Sequence, residues 1–267
     1  MEILGYIAAI LIGISLGLAG SGGSILTVPV LVYLMGIDPL AATTGSLFIV
    51  GVTSLVGGLR AYSKKLLDFR AVSEFGFPSI LSVFLTRHYL LPAIPEQLFT
   101  IGPVSVTRNL LLMLVFATLM LLASWSMIRN RETEEAVPVA KEGRERVLPL
   151  MFYGLLIGMV TGLLGAGGGF LIIPTLVLFL GLDMKTAVGT SLMLIAINSL
   201  FGFLFSLSHY EFNWPILLSF TALSIAGLFA GSFFSQKISS DSLRRGFGWF
   251  ILVMGLFIIL RELLLPH

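Results

Sequence analysis

"GLLGAGGGFLIIP", residues 162–174, places five glycines and a closing proline inside an otherwise continuous apolar sequence. Glycine disfavours a helix interior by about 1 kcal/mol relative to alanine, and proline by about 3 kcal/mol, so this stretch breaks a helix. Its surroundings say where the break falls. Of 267 residues, 57% are hydrophobic and 11% charged, with a mean hydropathy of +1.01. That leaves too little polar surface for a soluble globule of this size. A break in such a chain lies at membrane depth, where backbone polar groups need partners.

Apolar runs long enough to cross about 30 Å of hydrocarbon at about 1.5 Å per residue fall at 2–19, 40–60, 72–92, 107–128, 148–164, 185–206, 214–236 and 245–263. The first starts with no preceding basic residue and no small-x-small cleavage pattern, which reads as a retained helix and not a signal peptide. One strongly charged segment, "RNRETEEAVPVAKEGRER" at 129–146, divides the chain. The expected organisation is a first transmembrane repeat over 1–128, a charged cytoplasmic linker over 129–147 and a second transmembrane repeat over 148–267.

The halves are copies. An offset of 145 residues lays "GLAGSGGSILTVPVLVYLMGIDPLAATTGSL" from Gly17 onto "GLLGAGGGFLIIPTLVLFLGLDMKTAVGTSL" from Gly162 without a gap. Gly17, Gly20, Gly22, Gly23, Pro29, Gly36, Asp38, Ser46 and Ser54 then meet Gly162, Gly165, Gly167, Gly168, Pro174, Gly181, Asp183, Ser191 and Ser199. Self-similarity over so many glycines and prolines is the mark of an internal repeat.

Charge gives the expected orientation. The loop at 60–70 carries Arg60, Lys64, Lys65 and Arg70, whereas its counterpart at 205–215 carries His209 and Glu211. Basic residues mark cytoplasmic loops, so equivalent loops are expected on opposite sides. The linker, with Arg129, Arg131, Lys141, Arg144 and Arg146, and the loop holding Lys237, Arg244 and Arg245 read as cytoplasmic, and so does Lys185. The fold class expected is an all-α polytopic membrane protein of two inverted-topology repeats. Each repeat has about four full transmembrane helices plus a broken glycine-rich half-helix segment.

An odd number of crossings per half requires the glycine-rich segment itself to cross. A proline pushes the residue before it toward an extended backbone and suits the first position of a helix. Gly165 to Gly169 are expected to hold no helix and Ile173 to be extended, so an extended piece of about five residues and a half-helix from Pro174, with 24–28 and 29–37 their first-half counterparts, are expected to span the bilayer together. A re-entrant hairpin is the competing geometry.

Irregular backbone at that depth lines protein or a water-filled cavity, and a helix N-terminus there favours an anion. The candidate substrate-binding residues are Gly20, Ser21, Gly22, Gly23, Ser24, Thr44 and Ser46 in the first half. In the second they are Gly165, Gly167, Gly168, Gly169, Thr190, Ser191 and Asn198. Ser54 and Ser199 extend this polar lining. Where the first half has Ser21 and Ser24, the second has Ala166 and Gly169, so the halves contribute unequally. Small residues also let membrane helices pack closely, and Gly57, Gly58, Gly202, Gly227 and Gly231 are assigned to packing.

Ionisable residues inside the spans are few. Glu74, Arg87 and His88 lie near the ends of the 72–92 run and read as interfacial anchors; Asp38 and Asp183 read as helix caps. The sequence offers no carboxylate with a partner at mid-membrane, which argues against an acidic relay. Anion movement down its own gradient, or with a proton carried on the substrate, stays open.

The chain resembles the sulfite exporter TauE/SafE family of membrane transporters. The resemblance rests on the paired "GLAGSGGSILTVP" and "GLLGAGGGFLIIP", the "GID" and "GLD" turns, and the "AATTGSL" and "AVGTSLM" stretches that follow. The two-repeat layout extends it to nearly the whole chain. It implies export of small sulfur-containing anions, such as sulfite or organosulfonates, across a prokaryotic inner membrane. The first half reads Thr44-Gly45-Ser46 where the second reads Gly189-Thr190-Ser191, so the carry-over is firmer at Thr190 and Ser191.

The partners expected are a small anionic substrate and the lipid bilayer. A net charge of +2 and a pI near 9.0 come from loop residues and point to no nucleic acid. There are no cysteines and three widely spaced histidines, with no motif for a metal, a cofactor or a nucleophile and base, so no enzyme is expected. An anion channel, or a transporter of other small organic anions, is the alternative.

Overall fold

The computed structural model of the protein describes residues 2–20, 23–101, 104–129, 144–207, 212–234 and 240–264. In the first half these form α1 (Glu2–Ala19), α2 (Ser24–Tyr33), α3 (Pro39–Ser63) and α4 (Phe69–Leu85). A π-helical turn (Thr86–Leu90), the single turn α5 (Leu91–Ala93), the hairpin β1 (Gln97–Ile101) and β2 (Val104–Thr107), and α6 (Arg108–Arg129) follow. The second half forms α7 (Arg144–Leu164), α8 (Gly169–Leu180), α9 (Met184–Ser206), α10 (Trp214–Phe234) and α11 (Ser240–Leu264). Among the described residues, Pro39–Ser63, Arg108–Trp125, Met184–Ser206 and Trp214–Phe233 are helices long and apolar enough to cross a membrane. Among the described residues the architecture is all-α apart from the antiparallel β1–β2 hairpin, whose short run of β-branched residues is hidden in the sequence by the apolar stretches on either side.

Helix ends follow local chemistry. Asp38 opens α3 by accepting from the Leu40 and Ala41 amides at 3.0 and 3.4 Å, and Asp183 opens α9 by accepting from Thr186 at 3.1 Å. Both caps match the sequence reading. Hydrogen bonds from Thr186 hold the Asp183 carboxyl below the usual carboxylate range.

The half-helices begin earlier than expected. α2 starts at Ser24 and encloses Pro29, and α8 starts at Gly169, five residues ahead of Pro174. Gly168 sits in the left-handed region at φ +66°, and its carbonyl accepts from the Leu171 and Ile172 amides at 3.0 and 3.2 Å. That turn starts the helix, so 165–168 stay outside it as expected, whereas the residues just before each proline, 169–173 and 24–28, are helical and not extended. A proline that far into a helix removes one hydrogen bond, whereas an extended segment would leave several backbone groups unmatched at membrane depth. At about 1.5 Å per residue, α2 and α8 are half-length, about 15 and 18 Å.

Glycine contacts fix the helix directions. Gly13 and Gly17 of α1 abut the Ser224 and Leu228 carbonyls of α10 in rising register, and Ser224 Oγ donates to the Ala9 carbonyl at 3.2 Å. α1 and α10 are therefore parallel. The same register joins α7 to α4, with Gly154 on Phe75, Gly158 on Ser79 and Gly162 on Thr86. The central pair is antiparallel, since Gly51 meets Leu200, Gly58 meets Met193 and Gly202 meets Leu47. α6 and α11 are antiparallel too: Ser124 Oγ donates to the Gly248 carbonyl at 2.8 Å while Gly255 meets Met120. α3 runs parallel to α10 through Gly45 on Leu217 and Gly57 on Leu228. α9 runs parallel to α4 through Gly76 on Leu194 and Gly202 on Val83.

These directions bring the helix ends holding Lys64, Lys65, Arg70, Arg144 and Lys185 to one end of the bundle. Large apolar side chains face outward, among them Ile7 and Leu11 of α1, Phe77 of α4, Phe152 of α7 and Phe229 of α10, whereas Ser24, Thr27, Ser46, Thr53, Ser54, Thr190, Asn198 and Ser199 are buried. The exposed Trp125 and Trp214 sit near helix ends, as in the aromatic belts of membrane proteins.

Candidate functional site

The break between α7 and α8 is built by three glycines at positive φ, Gly165, Gly167 and Gly168 at +68°, +69° and +66°. L side chains reach that region at a cost of about 1–2 kcal/mol. Space is also lacking: a Cβ on Gly165 would strike the Thr43 backbone, and one on Gly168 the Thr161 hydroxyl. On Gly167 it would crowd Ile195, Val50 and the Ser199 hydroxyl at 2.9, 3.0 and 3.4 Å. Val50 and Ile195 lie midway along α3 and α9, so the break reaches the middle of the bundle. The segment begins with Gly165 against Thr43, near the start of α3, and α8 leads to Asp183 at the start of α9, at the opposite end.

The first half has a corresponding break. Gly20 is at φ +74° and abuts Val188, the repeat equivalent of Thr43. Gly23 precedes α2 and would meet Ile12 and Leu16, the equivalents of Ile157 and Thr161 that flank Gly168. Gly23 itself is right-handed at φ −64°, so the two breaks differ in detail. Ser24 is fully buried in the first turn of α2. Ser21 and Gly22 lie outside the described residues.

The hydroxyl candidates divide into two sets. Ser46 Oγ donates to the Gly165 carbonyl at 2.8 Å, fastening the break to α3. Thr190 Oγ1 accepts from the Asp68 amide at 3.0 Å, and Ser191 Oγ donates to the Val188 carbonyl at 2.8 Å. Thr44 Oγ1 donates to the Leu40 carbonyl and accepts from Arg87. Ser46, Thr190 and Thr44 thus join one segment to another, whereas Ser191 bonds only its own helix. The Ser54, Ser199 and Thr161 hydroxyls and Asn198 Oδ1 are fully buried and make no hydrogen bond among the described residues; Asn198 Nδ2 donates to Ser79 Oγ at 2.7 Å. Leaving a buried polar atom unmatched costs about 1–3 kcal/mol. Ser199 and Thr161 flank the glycines that open α8, beside amide groups with no partner inside the helix. Hydroxyl donors beside a helix N-terminus are components of an anion site; the glycines between them are packed against Thr43, Val50, Ile157 and Ile195.

One ionisable residue departs from the sequence reading, and a second, Glu262, was not singled out by it. Arg87 is no interfacial anchor: it is 3% exposed, facing the threonines of α3. Glu262 of α11 is buried at 8% exposure and accepts from Tyr33 at 2.8 Å, tying the end of α2 to α11. Glu74 pairs with Arg70 at 2.8 Å across one turn. Arg87 was legible as a cation inside an apolar run. Thr161 carried no such signal, because its partner glycine reaches it only through the backbone turn at Gly168.

A family model described as Sulfite exporter TauE/SafE matches residues 5–258. The chain belongs to the sulfite exporter TauE/SafE family. A probable membrane transporter protein of Xylella fastidiosa strain Temecula1 is 28% identical over 255 residues, covering 94% of this chain and 92% of that protein. Probable membrane transporter proteins of Methanocaldococcus jannaschii and Haemophilus influenzae are each 27% identical over 95% and 94% of this chain, and 94% and 95% of their own length. No solved structure gives a significant match. As a TauE/SafE family member the chain is a multi-pass membrane transporter, and the outward apolar faces and buried hydroxyls fit that setting.

Proposed function

We propose that the protein is a secondary transporter that exports small sulfur-containing anions such as sulfite or organosulfonates. The anion is bound near the midplane by the two glycine-rich breaks and the half-helix N-termini. The observation that carries this reading is the start of α8, where Ser199 and Thr161 offer fully buried, unmatched hydroxyls to the first turn of the helix. In this reading Gly165, Gly167, Gly168 and Gly169 supply the turning backbone and α9 adds Asn198, whose Oδ1 is buried without a partner among the described residues; Gly20, Gly23 and Ser24 form the smaller contribution of the first half. Ser46 holds the second break against α3, and Thr44, Thr190 and Ser191 complete the polar lining on α3 and α9.

The repeats, over 1–128 and 148–267, are read as inverted. Support comes from the helix directions, since α3 and α9 are equivalent and antiparallel, as are α6 and α11. Because α1 runs with α10 and α4 with α7, the packing is unchanged when the halves are exchanged. In this reading residues 20–37 and 165–182 each cross the membrane, and the linker over 129–147 lies on the cytoplasmic side with the basic helix ends. Inverted repeats meeting at a central site provide alternating access by rocking one half against the other.

Flux of radiolabelled sulfite into proteoliposomes, with and without a pH gradient and beside a chloride control, tests the reading. Saturable sulfite flux with chloride excluded is expected. Flux equal to that of empty liposomes for sulfite and for a panel of sulfonates contradicts it.

A further inference from the structure

We infer that Arg87 is the residue that selects oxyanions on the half of the pathway away from the basic end; this rests on the anion-transport reading above. Arg87 is the one cation in the buried set of described side chains, at 3% exposure. Buried ionisable side chains in a membrane protein are costly and mark substrate pathways. Its location is specific. The guanidinium NH1 donates to Thr44 Oγ1 at 2.9 Å and reaches Thr43 Oγ1 at 3.5 Å. Both hydroxyls spend their protons on the Leu40 carbonyl, at 2.8 and 3.2 Å, so toward Arg87 they present lone pairs only.

Thr43 is also the residue whose backbone abuts Gly165, and Ser46, one helical turn from Thr43, binds the Gly165 carbonyl. Arg87 therefore stands beside the entry to the second break, on the side of α3's first turn. That side is opposite the end that gathers Lys64, Lys65 and Lys185. An anion leaving the centre toward the far end meets this guanidinium.

The backbone that carries it is unusual. Thr86–Leu90 forms a π-helical turn between α4 and α5, and such turns are rare and recur at functional sites. The turn is wedged against α7, where a Cβ on Gly162 would press on Thr86 at 2.8 Å. Movement of α7 and its break is thus felt directly by the segment that bears Arg87. A planar guanidinium offers paired donors to two oxygens of a sulfite or sulfonate group, a match that a spherical halide lacks. Exchange of the Thr44 hydroxyl for a substrate oxyanion binds and releases the anion without stranding the cation.

The test uses the purified full chain, read by sulfite-induced rise in melting temperature in detergent and by sulfite and chloride flux in proteoliposomes. Arg87→Gln is expected to abolish the sulfite-induced rise and lower subsaturating flux by about tenfold or more, the scale of a lost charge-assisted bond. Arg87→Lys, which keeps the charge and loses the fork, is expected to fold, raise the apparent KM for sulfite several-fold and narrow the preference over chloride. Arg108→Gln, which removes a charge that lies 4.0 Å from Glu96, is expected to behave as the wild type.

Sulfite response and flux retained in full by Arg87→Gln overturn the inference and leave the transport reading standing. Should the Gln variant not fold, an Arg87→Lys variant with wild-type KM and anion preference overturns it equally. A wild-type protein that neither responds to sulfite nor moves it overturns the transport reading and this inference together.

Discussion

Asp38 and Asp183 occupy equivalent positions in the two halves, and each accepts hydrogen bonds from the helix that it opens. Replacing such a cap by alanine costs about 1 kcal/mol, so Asp183→Ala is expected to lower the melting temperature measurably. The sign of its pH dependence follows from the direction of the shift. Because the folded carboxyl is held below its ordinary value, its contribution is complete above about pH 3.9. It fades as the pH falls through the lower folded value. Melting curves of wild type and Asp183→Ala should therefore converge at strongly acid pH and separate above it. Gly168 makes a second prediction at this scale. Its positive φ and its contact with Thr161 mean that Gly168→Ala strains the break by about 1–2 kcal/mol and lowers sulfite flux. Gly246→Ala, whose added methyl meets open space, is expected to leave flux unchanged; equal flux in both variants would remove the break from the mechanism.

At the scale of elements, the sequence located almost every helix and misplaced the start of two. The spans expected at 2–19, 107–128 and 185–206 lie within two residues of α1, α6 and α9, because long apolar runs leave little choice once the bilayer sets the length. The half-helices were read from their prolines, but α8 starts at a left-handed glycine five residues earlier. Proline reports a missing donor and is silent about whether earlier residues have already wound. The hydroxyls were legible as a polar set, not by role: Ser191 and Ser199 share one helix, yet Ser191 binds its own backbone and Ser199 has no partner among the described residues. Which of them meets the break depends on three successive backbone turns that no spacing rule supplies. Packing glycines were more transparent. Gly13 and Gly227 put α1 and α10 in backbone contact, so Gly227→Leu is expected to separate these helices and yield protein that aggregates on detergent extraction. A well-behaved Gly227→Leu protein with unaltered melting temperature would contradict the pairing.

For the whole molecule, the absence of cysteine makes the architecture directly accessible to single-cysteine labelling. If the halves are inverted, cysteines at Lys64 and Lys185 label from the cytoplasmic side, and cysteines at Glu96 and Asn213 label from the other. Labelling of Lys64 and Lys185 from opposite sides would contradict the helix directions on which the inverted reading relies. The account makes one further claim about the molecule as a whole: both halves meet at a central anion site entered in turn from each side. The measurement that tests it most directly is the reaction rate of a Ser199→Cys variant with a small anionic thiol reagent in sealed vesicles of each orientation, with and without sulfite. The account predicts reaction in both orientations and protection by sulfite in each. A cysteine that never reacts, or that reacts at a rate indifferent to sulfite, would contradict it.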